Sequence, residues 1–152
     1  MTEPAATFAF RAHVELGPVQ TIGRVARGLR RIVPITGGTF EGPDLSGRIL
    51  PFGADWQLIH DNGYMELDAR YTLETDRGEL IYVNNAGFRH GPAELAARFG
   101  RGETVDMSGF RHGLRALLET GAPRLDWMNY RIFSPTARRQ PSAMILEFYA
   151  IG

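Results

Sequence analysis

Two short runs concentrate the side chains able to do chemistry. Asp55-Trp56 lies in P-F-G-A-D-W-Q, from Pro51 to Gln57, and Glu66, Asp68 and Arg70 take every second position within Tyr64 to Thr75. A carboxylate in an apolar pocket loses hydration, its pKa climbs toward neutrality, and it becomes a usable general base. On a strand, neighbours point to opposite faces, so one of Asp55 and Trp56 points into the fold and the other out. Either Asp55 is that base, or it accepts turn amide hydrogens after Gly53 while Trp56 plugs the core.

Glu66, Asp68 and Arg70 share one face of a strand, with ~6.6–7 Å between successive members. The ladder is either a solvated stripe or the wall of a lumen. As a wall, Arg70 would hold Asp68 ionised and clamp a substrate carboxylate or enolate oxygen. Two carboxylates in unequal environments would then divide the acid and base roles. The opposite face, from Met65 through Leu67, Ala69 and Tyr71 to Leu73, is apolar. If the charged face turned inward, the apolar one would need a partner chain, so a polar lumen and a homodimer stand or fall together. Tyr71, Tyr82, Trp127, Asn129 and Tyr149 complete the candidates, as pocket walls or as core aromatics and a backbone-satisfying amide.

The elements that must position these residues are mostly strands. Glycine (18) and proline (9) punctuate short alternating runs, the pattern of an all-β chain. Phe8 to Leu16, Ala54 to His60 and Tyr64 to Thr75 alternate clearly, and Asp61-Asn62-Gly63 predicts a hairpin between the last two. Short strands are expected at Thr39 to Glu41 and Ser46 to Leu50, a further one from Glu79 to Asn84, and closing strands at Asp126 to Phe133 and Met144 to Ile151, joined by a polar loop from Ser134 to Ser142. Pro92 to Phe99 predicts a helix, with proline in its first turn and Gly100 at its end. Phe110 to Leu118 fits helical spacing but is interrupted by Gly113. Phe-Arg-His-Gly occurs twice, at Phe88 to Gly91 and Phe110 to Gly113, with little shared in the flanks, and reads as coincidence.

Composition narrows the chemistry. Residues 1–152 suit a single domain long enough to bury a core. Lys+Arg and Asp+Glu balance at 17 each, so no net field draws the chain to nucleic acid or an anionic membrane. Every basic residue is arginine, which excludes lysine bases and Schiff-base chemistry, and the absence of cysteine excludes thiolate nucleophiles and thiolate metal sites. The four histidines lack metal-ligand spacing, and no phosphate-loop or dinucleotide fingerprint is present. No metal and no cofactor is expected. With no leader-like or membrane-length apolar run, the expected location is the cytoplasm.

The runs I-V-P-I-T-G-G-T-F-E-G-P, L-P-F-G-A-D-W-Q and L-D-A-R-Y-T-L-E-T-D-R-G-E-L-I-Y-V, followed by L-E-T-G at Leu118 to Gly121 and D-W-M-N at Asp126 to Asn129, resemble the domain-of-unknown-function 3237 family, also called uncharacterised protein family 0311. The resemblance covers about Ala9 to Ala150. It implies an antiparallel calycin- or lipocalin-like β-barrel with one or two short helices and a pocket at its mouth. It also hints at cofactor-free cyclase, isomerase or lyase chemistry. The family tends to be extended after Phe110, where this chain looks more helical. The expectation is an acid–base enzyme acting on an oxygenated cyclic or aromatic metabolite. Asp55, Asp68 and Arg70 would be catalytic, and Trp56, Glu66, Tyr82, Trp127 and Asn129 would contact substrate. The alternative is a barrel that binds a small apolar ligand without catalysis.

Overall fold

The computed structural model describes residues 2–152. The strands are β1 (Ala6–Leu16), β2 (Gln20–Val25), β3 (Gly28–Glu41), β4 (Ser46–Ile49), β5 (Gly53–Ile59), β6 (Tyr64–Thr75), β7 (Leu80–His90), β8 (Arg111–Thr120), β9 (Ile132–Gln140) and β10 (Ala143–Ile151), with one helix, α1 (Ala93–Gly100). All pairings are antiparallel and the sheet closes on itself through β1 and β3. β2 continues β1 along β3, and β4 and β5 together fill the space between β3 and β6. The ring is therefore a closed antiparallel eight-strand barrel. Closure abolishes the unpaired edges that an open sheet would present.

The alternating runs form strands because every second residue is apolar and finds the interior. Phe10, Ala12 and Val14 of β1 are buried, as are Met65, Leu67, Tyr71 and Leu73 of β6. A bulge between Phe8 and Phe10 resets the first alternation and leaves Phe8 outside. One half of the barrel is filled solid: Phe10 and Phe148 stack with ring centroids 4.4 Å apart, and Leu73, Ile81, Val83 and Phe133 pack around them. The Asn62-Gly63 hairpin forms as expected. Gly63 takes φ +88°, which a side chain would strain, and the Asn62 side chain accepts the Tyr64 amide.

One ambiguous segment is resolved and three local expectations are corrected. Phe110 to Leu118 is extended: Leu114, Ala116 and Leu118 alternate against β7, and cross-strand pairing outweighs their helical spacing. Asp126 to Tyr130 belongs to a 3-10 helix (Pro123–Tyr130) rather than a strand, because Pro123 starts a turn and Leu125 and Met128, three apart, bury together. Ser134 to Gln140 is strand rather than loop, leaving Pro141-Ser142 as a two-residue turn to β10. β7 runs on past Asn84 to His90, pairing with β6 and β8 throughout. β8 and β9 are joined by a single pair, Ala116 with Phe133. Among the described residues no helix is long and apolar enough to cross a membrane.

Candidate functional site

The half of the barrel that is not filled solid contains a cavity of about 70 Å³. Its apolar wall includes Val14, Val33, Ile35 and Leu67, and its polar groups are Asp55, Gln57, Tyr71, Asn85, Arg89 and Arg139. Parity explains the set. In β5, Asp55 and Gln57 turn inward and Trp56 outward, where it is 37% exposed. In β7, Ile81, Val83, Asn85 and Arg89 share the inner face. Gly53 lies against Tyr71, where any side chain would collide with the tyrosine Cβ, so the missing Cβ lets Tyr71 sit close.

Asp55 is held by two donors. The Asp68 amide donates to its Oδ1 at 2.9 Å, and Gln57 Nε2 donates to its Oδ2 at 2.9 Å. Burial pushes its carboxyl above the usual aspartate range; those two hydrogen bonds and the nearby Arg89 charge work against the rise. Burial also pushes the Tyr71 hydroxyl well up, reinforced by Asp55, so the phenol keeps its proton. Several buried polar atoms of this wall have no protein partner: Tyr71 Oη, Gln57 Oε1 and Asn85 Oδ1. Buried polar atoms are normally paired, so a cluster of unpaired ones around one cavity marks a place where water or a ligand completes the bonding.

The ladder expected on β6 lies elsewhere. Glu66, Asp68 and Arg70 are on the outer surface, because the apolar face of the strand is the one that meets the core. Asp68 there accepts from Arg70 Nε and Nη2 at 3.3 and 3.2 Å and from Asn84 at 2.9 Å, and Glu66 accepts from Arg27 at 2.9 Å. With the core on the inner face, the stripe no longer calls for a partner chain. Tyr82 and Asn129 border a shallow groove on the outside. Asn129 closes the end of β8, accepting from the Thr120 amide and donating to the Thr120 carbonyl, each at 2.9 Å. Trp127 stands beside Phe133, 39% exposed. Of the residues expected to be catalytic or to contact substrate, Asp55 alone reaches the cavity; Tyr71, offered as a pocket wall or a core aromatic, lines it as well.

Gln57, Asn85, Arg89, Arg139 and the neighbouring Arg31 escaped the sequence reading. Arg31 alternates with Val33 and Ile35 in β3, and Arg89 lies two steps of the same alternation beyond Asn85. The duplicated Phe-Arg-His-Gly was the overlooked signal. Its copies pair with each other in antiparallel register, Phe88 opposite Gly113 and Arg89 opposite His112, and Phe110 packs over Gly91 as Phe88 packs over Gly113. Three guanidiniums then converge on one ring, with Arg31, Arg139 and Arg89 standing 4.5, 5.7 and 6.0 Å from the Phe99 centroid.

Residues 4–151 match the family described as protein of unknown function (DUF3237). A UPF0311 protein of Rhodopseudomonas palustris is 38% identical over 144 residues, covering 95% of this chain and 94% of its own. The crystal structure of a beta-barrel like protein from Acinetobacter baumannii superimposes with a TM-score of 0.86 at 38% identity, covering 100% of this chain and 98% of that one. A chain from Penicillium herquei whose crystal structure is described as that of an enzyme shares the fold with a TM-score of 0.75 at 20% identity, over 100% of this chain and 97% of that one.

Proposed function

We propose that this chain, which belongs to the DUF3237 family, is a cofactor-independent enzyme that moves protons on a small oxygenated ring compound inside the barrel, with Asp55 as general base. One observation carries the reading. A carboxylate made more basic by burial and an unpartnered phenol that keeps its proton line the same apolar cavity. A base whose pKa lies nearer the working pH is the more effective proton acceptor.

In this reading Asp55 takes a proton from a carbon beside a carbonyl. The C–H electron pair moves toward the carbonyl oxygen, and the Tyr71 hydroxyl donates a hydrogen bond to the charge gathering there. Return of the proton to a different atom completes an isomerisation; where the enolate first adds to an unsaturated carbon of the same substrate and that π bond opens, the proton returns to the acceptor and a ring closes, in either case with no net oxidation and no group lost. Gln57 and the Asp68 amide hold the carboxylate in place. A cavity of about 70 Å³ holds about two water molecules at about 30 Å³ each, which excludes a long acyl chain and admits at most a compact ring that widens it. That a distant neighbour of the same fold is described as an enzyme is in keeping with the reading. We place the activity in the cytoplasm.

Deuterium exchange into a panel of small cyclic ketones in D2O, followed by mass spectrometry, tests the proton transfer. Protein-dependent incorporation is expected for the wild type and should fall at least about 100-fold in Asp55→Asn. Equal incorporation by the two proteins would overturn Asp55 as the base. Ketones that bind without protein-dependent exchange would favour the alternative that the apolar wall supports, a non-catalytic binder.

A further inference from the structure

The filled half of the barrel needs no charge, and the outer face pairs its own. The inner end near Phe99 does neither. Arg31 is 4% exposed, donates Nη1 to the Phe99 carbonyl at 3.3 Å, and leaves its buried Nε without a partner. Arg89 and Arg139 border the cavity itself. The ion pairs of the described residues involve other arginines, and Asp55 is the one carboxylate among the cavity-lining residues. The buried Arg31 and the half-buried Arg89 thus share one buried anion, with the exposed Arg139 at their rim, an arrangement that costs free energy unless something negative joins it. The strain registers in the groups themselves. Arg31 is pushed below the usual guanidinium range first by burial and then by Arg139 and Arg89, and Arg89 first by burial, with Asp55 opposing and Arg139 adding to the fall.

We infer that Arg89 and Arg139, backed by Arg31, form an anion subsite inside the barrel that holds a carboxylate of the ring substrate. A guanidinium offers a planar fork of donors that matches a carboxylate, and two such forks at one rim fix its direction as well as its charge. Arg31, buried and bonded to Phe99, supplies charge rather than contact. The unpartnered amide oxygens of Gln57 and Asn85 lie along the same wall and accept from ring hydroxyls between the carboxylate and Asp55. Leu114, Ala137 and Arg139 lie on the stretches of β8 and β9 beyond their single shared pair, so the subsite borders the seam between those strands. The inference rests on the lumen being the working site, as proposed above, but not on Asp55 being its base.

Benzoate and benzyl alcohol, the same ring with and without the charge, are the probes, with binding measured by titration calorimetry at pH 7 and low salt. Wild type is expected to bind benzoate at least tenfold more tightly than benzyl alcohol, a difference of about 1.4 kcal/mol. Arg139→Gln, at an exposed position that folding tolerates, should reduce that preference at least threefold, and Arg89→Gln/Arg139→Gln should reduce it to about twofold or less. Arg89→Lys should keep part of it through charge alone, and Asp55→Asn should keep or increase it. Equal affinity for the two probes, no binding of either, or a preference untouched in the double variant would each overturn the subsite. Benzyl alcohol binding without any benzoate preference would sink the anion subsite while leaving the cavity as the working site, whereas a failed exchange assay with the preference intact would sink only Asp55 as the base.

Discussion

The outer and inner walls of strands β5 to β7 are made from the same residue types and behave oppositely. Outside, Asp68 accepts from Arg70 and Asn84, Glu66 accepts from Arg27 of the β2–β3 turn, and the groups remain in contact with solvent. Inside, Asp55, Gln57, Tyr71, Asn85 and Arg89 surround a cavity, and three of these five keep a polar atom that finds no partner among the described residues. Charged residues at strand spacing therefore do not mark a site by their presence. What marks it is polar groups left with unused bonding capacity in a place that excludes bulk water.

The largest effect expected to sharpen this contrast is on turnover. Asp55→Asn should lower proton transfer by about 10²- to 10⁴-fold, whereas Asp68→Asn should change it by less than about threefold, in the same exchange assay. A comparable loss in both would erase the distinction between the walls.

Tyr71→Phe should come next and should divide activity from stability. Losing the donor to a developing oxyanion should lower turnover by about 10²-fold. Removing a buried hydroxyl that has no partner should leave thermal stability equal or raise it by up to about 1 kcal/mol. A marked fall in melting temperature would mean that the hydroxyl is already satisfied.

The third test is pH. The folded pKa of Asp55 is raised above its unfolded value. Between the two, the unfolded chain has released the proton and the folded chain still holds it. Stability from this group is therefore greatest below the unfolded pKa, and it falls as pH rises until the folded pKa is passed. Wild type should lose melting temperature relative to Asp55→Asn across that interval, while turnover rises with pH over the upper part of it. Parallel stability curves for the two proteins would contradict a desolvated Asp55. The smallest effect belongs to the outer wall: Arg70→Ala, breaking a solvent-exposed pair with Asp68, should leave the denaturant unfolding midpoint nearly unchanged.

Much of the architecture was legible because alternation is a local property. Tyr64 to Thr75 is the strand its sequence describes, and the Asn-Gly turn sits where it should. Asp126 to Tyr130 was misread because a 3-10 helix and a short strand both place apolar residues at close intervals, and only Pro123 argued for the helix. Ser134 to Gln140 was misread as loop because only Pro135 and Ala137 of its inward side chains are apolar, both small, while Arg139 and the outward ones are polar. The site was less legible than the fold. Asp55 could be narrowed to inward or outward, but which face of β6 met the core depended on closure of the whole ring. Arg89 and Arg139 lie about 50 residues apart along the chain, so no local pattern brings them together.

The self-pairing of Phe88–Gly91 with Phe110–Gly113 shows how little of a residue's role resides in its motif. One tetrapeptide, written twice, pairs with itself in antiparallel register without symmetry: Arg89 points into the barrel opposite His112 while Arg111 points away opposite His90. The assignment is binary, odd positions inward on β7 and even positions inward on β8. A one-residue slip on either strand would invert it, moving Arg89 and Asn85 outside together and bringing Phe88 in. The two glycines, each covered by the other copy's phenylalanine ring, allow one frame of pairing and disfavour its neighbours. They act as a registration mark for the barrel's charge.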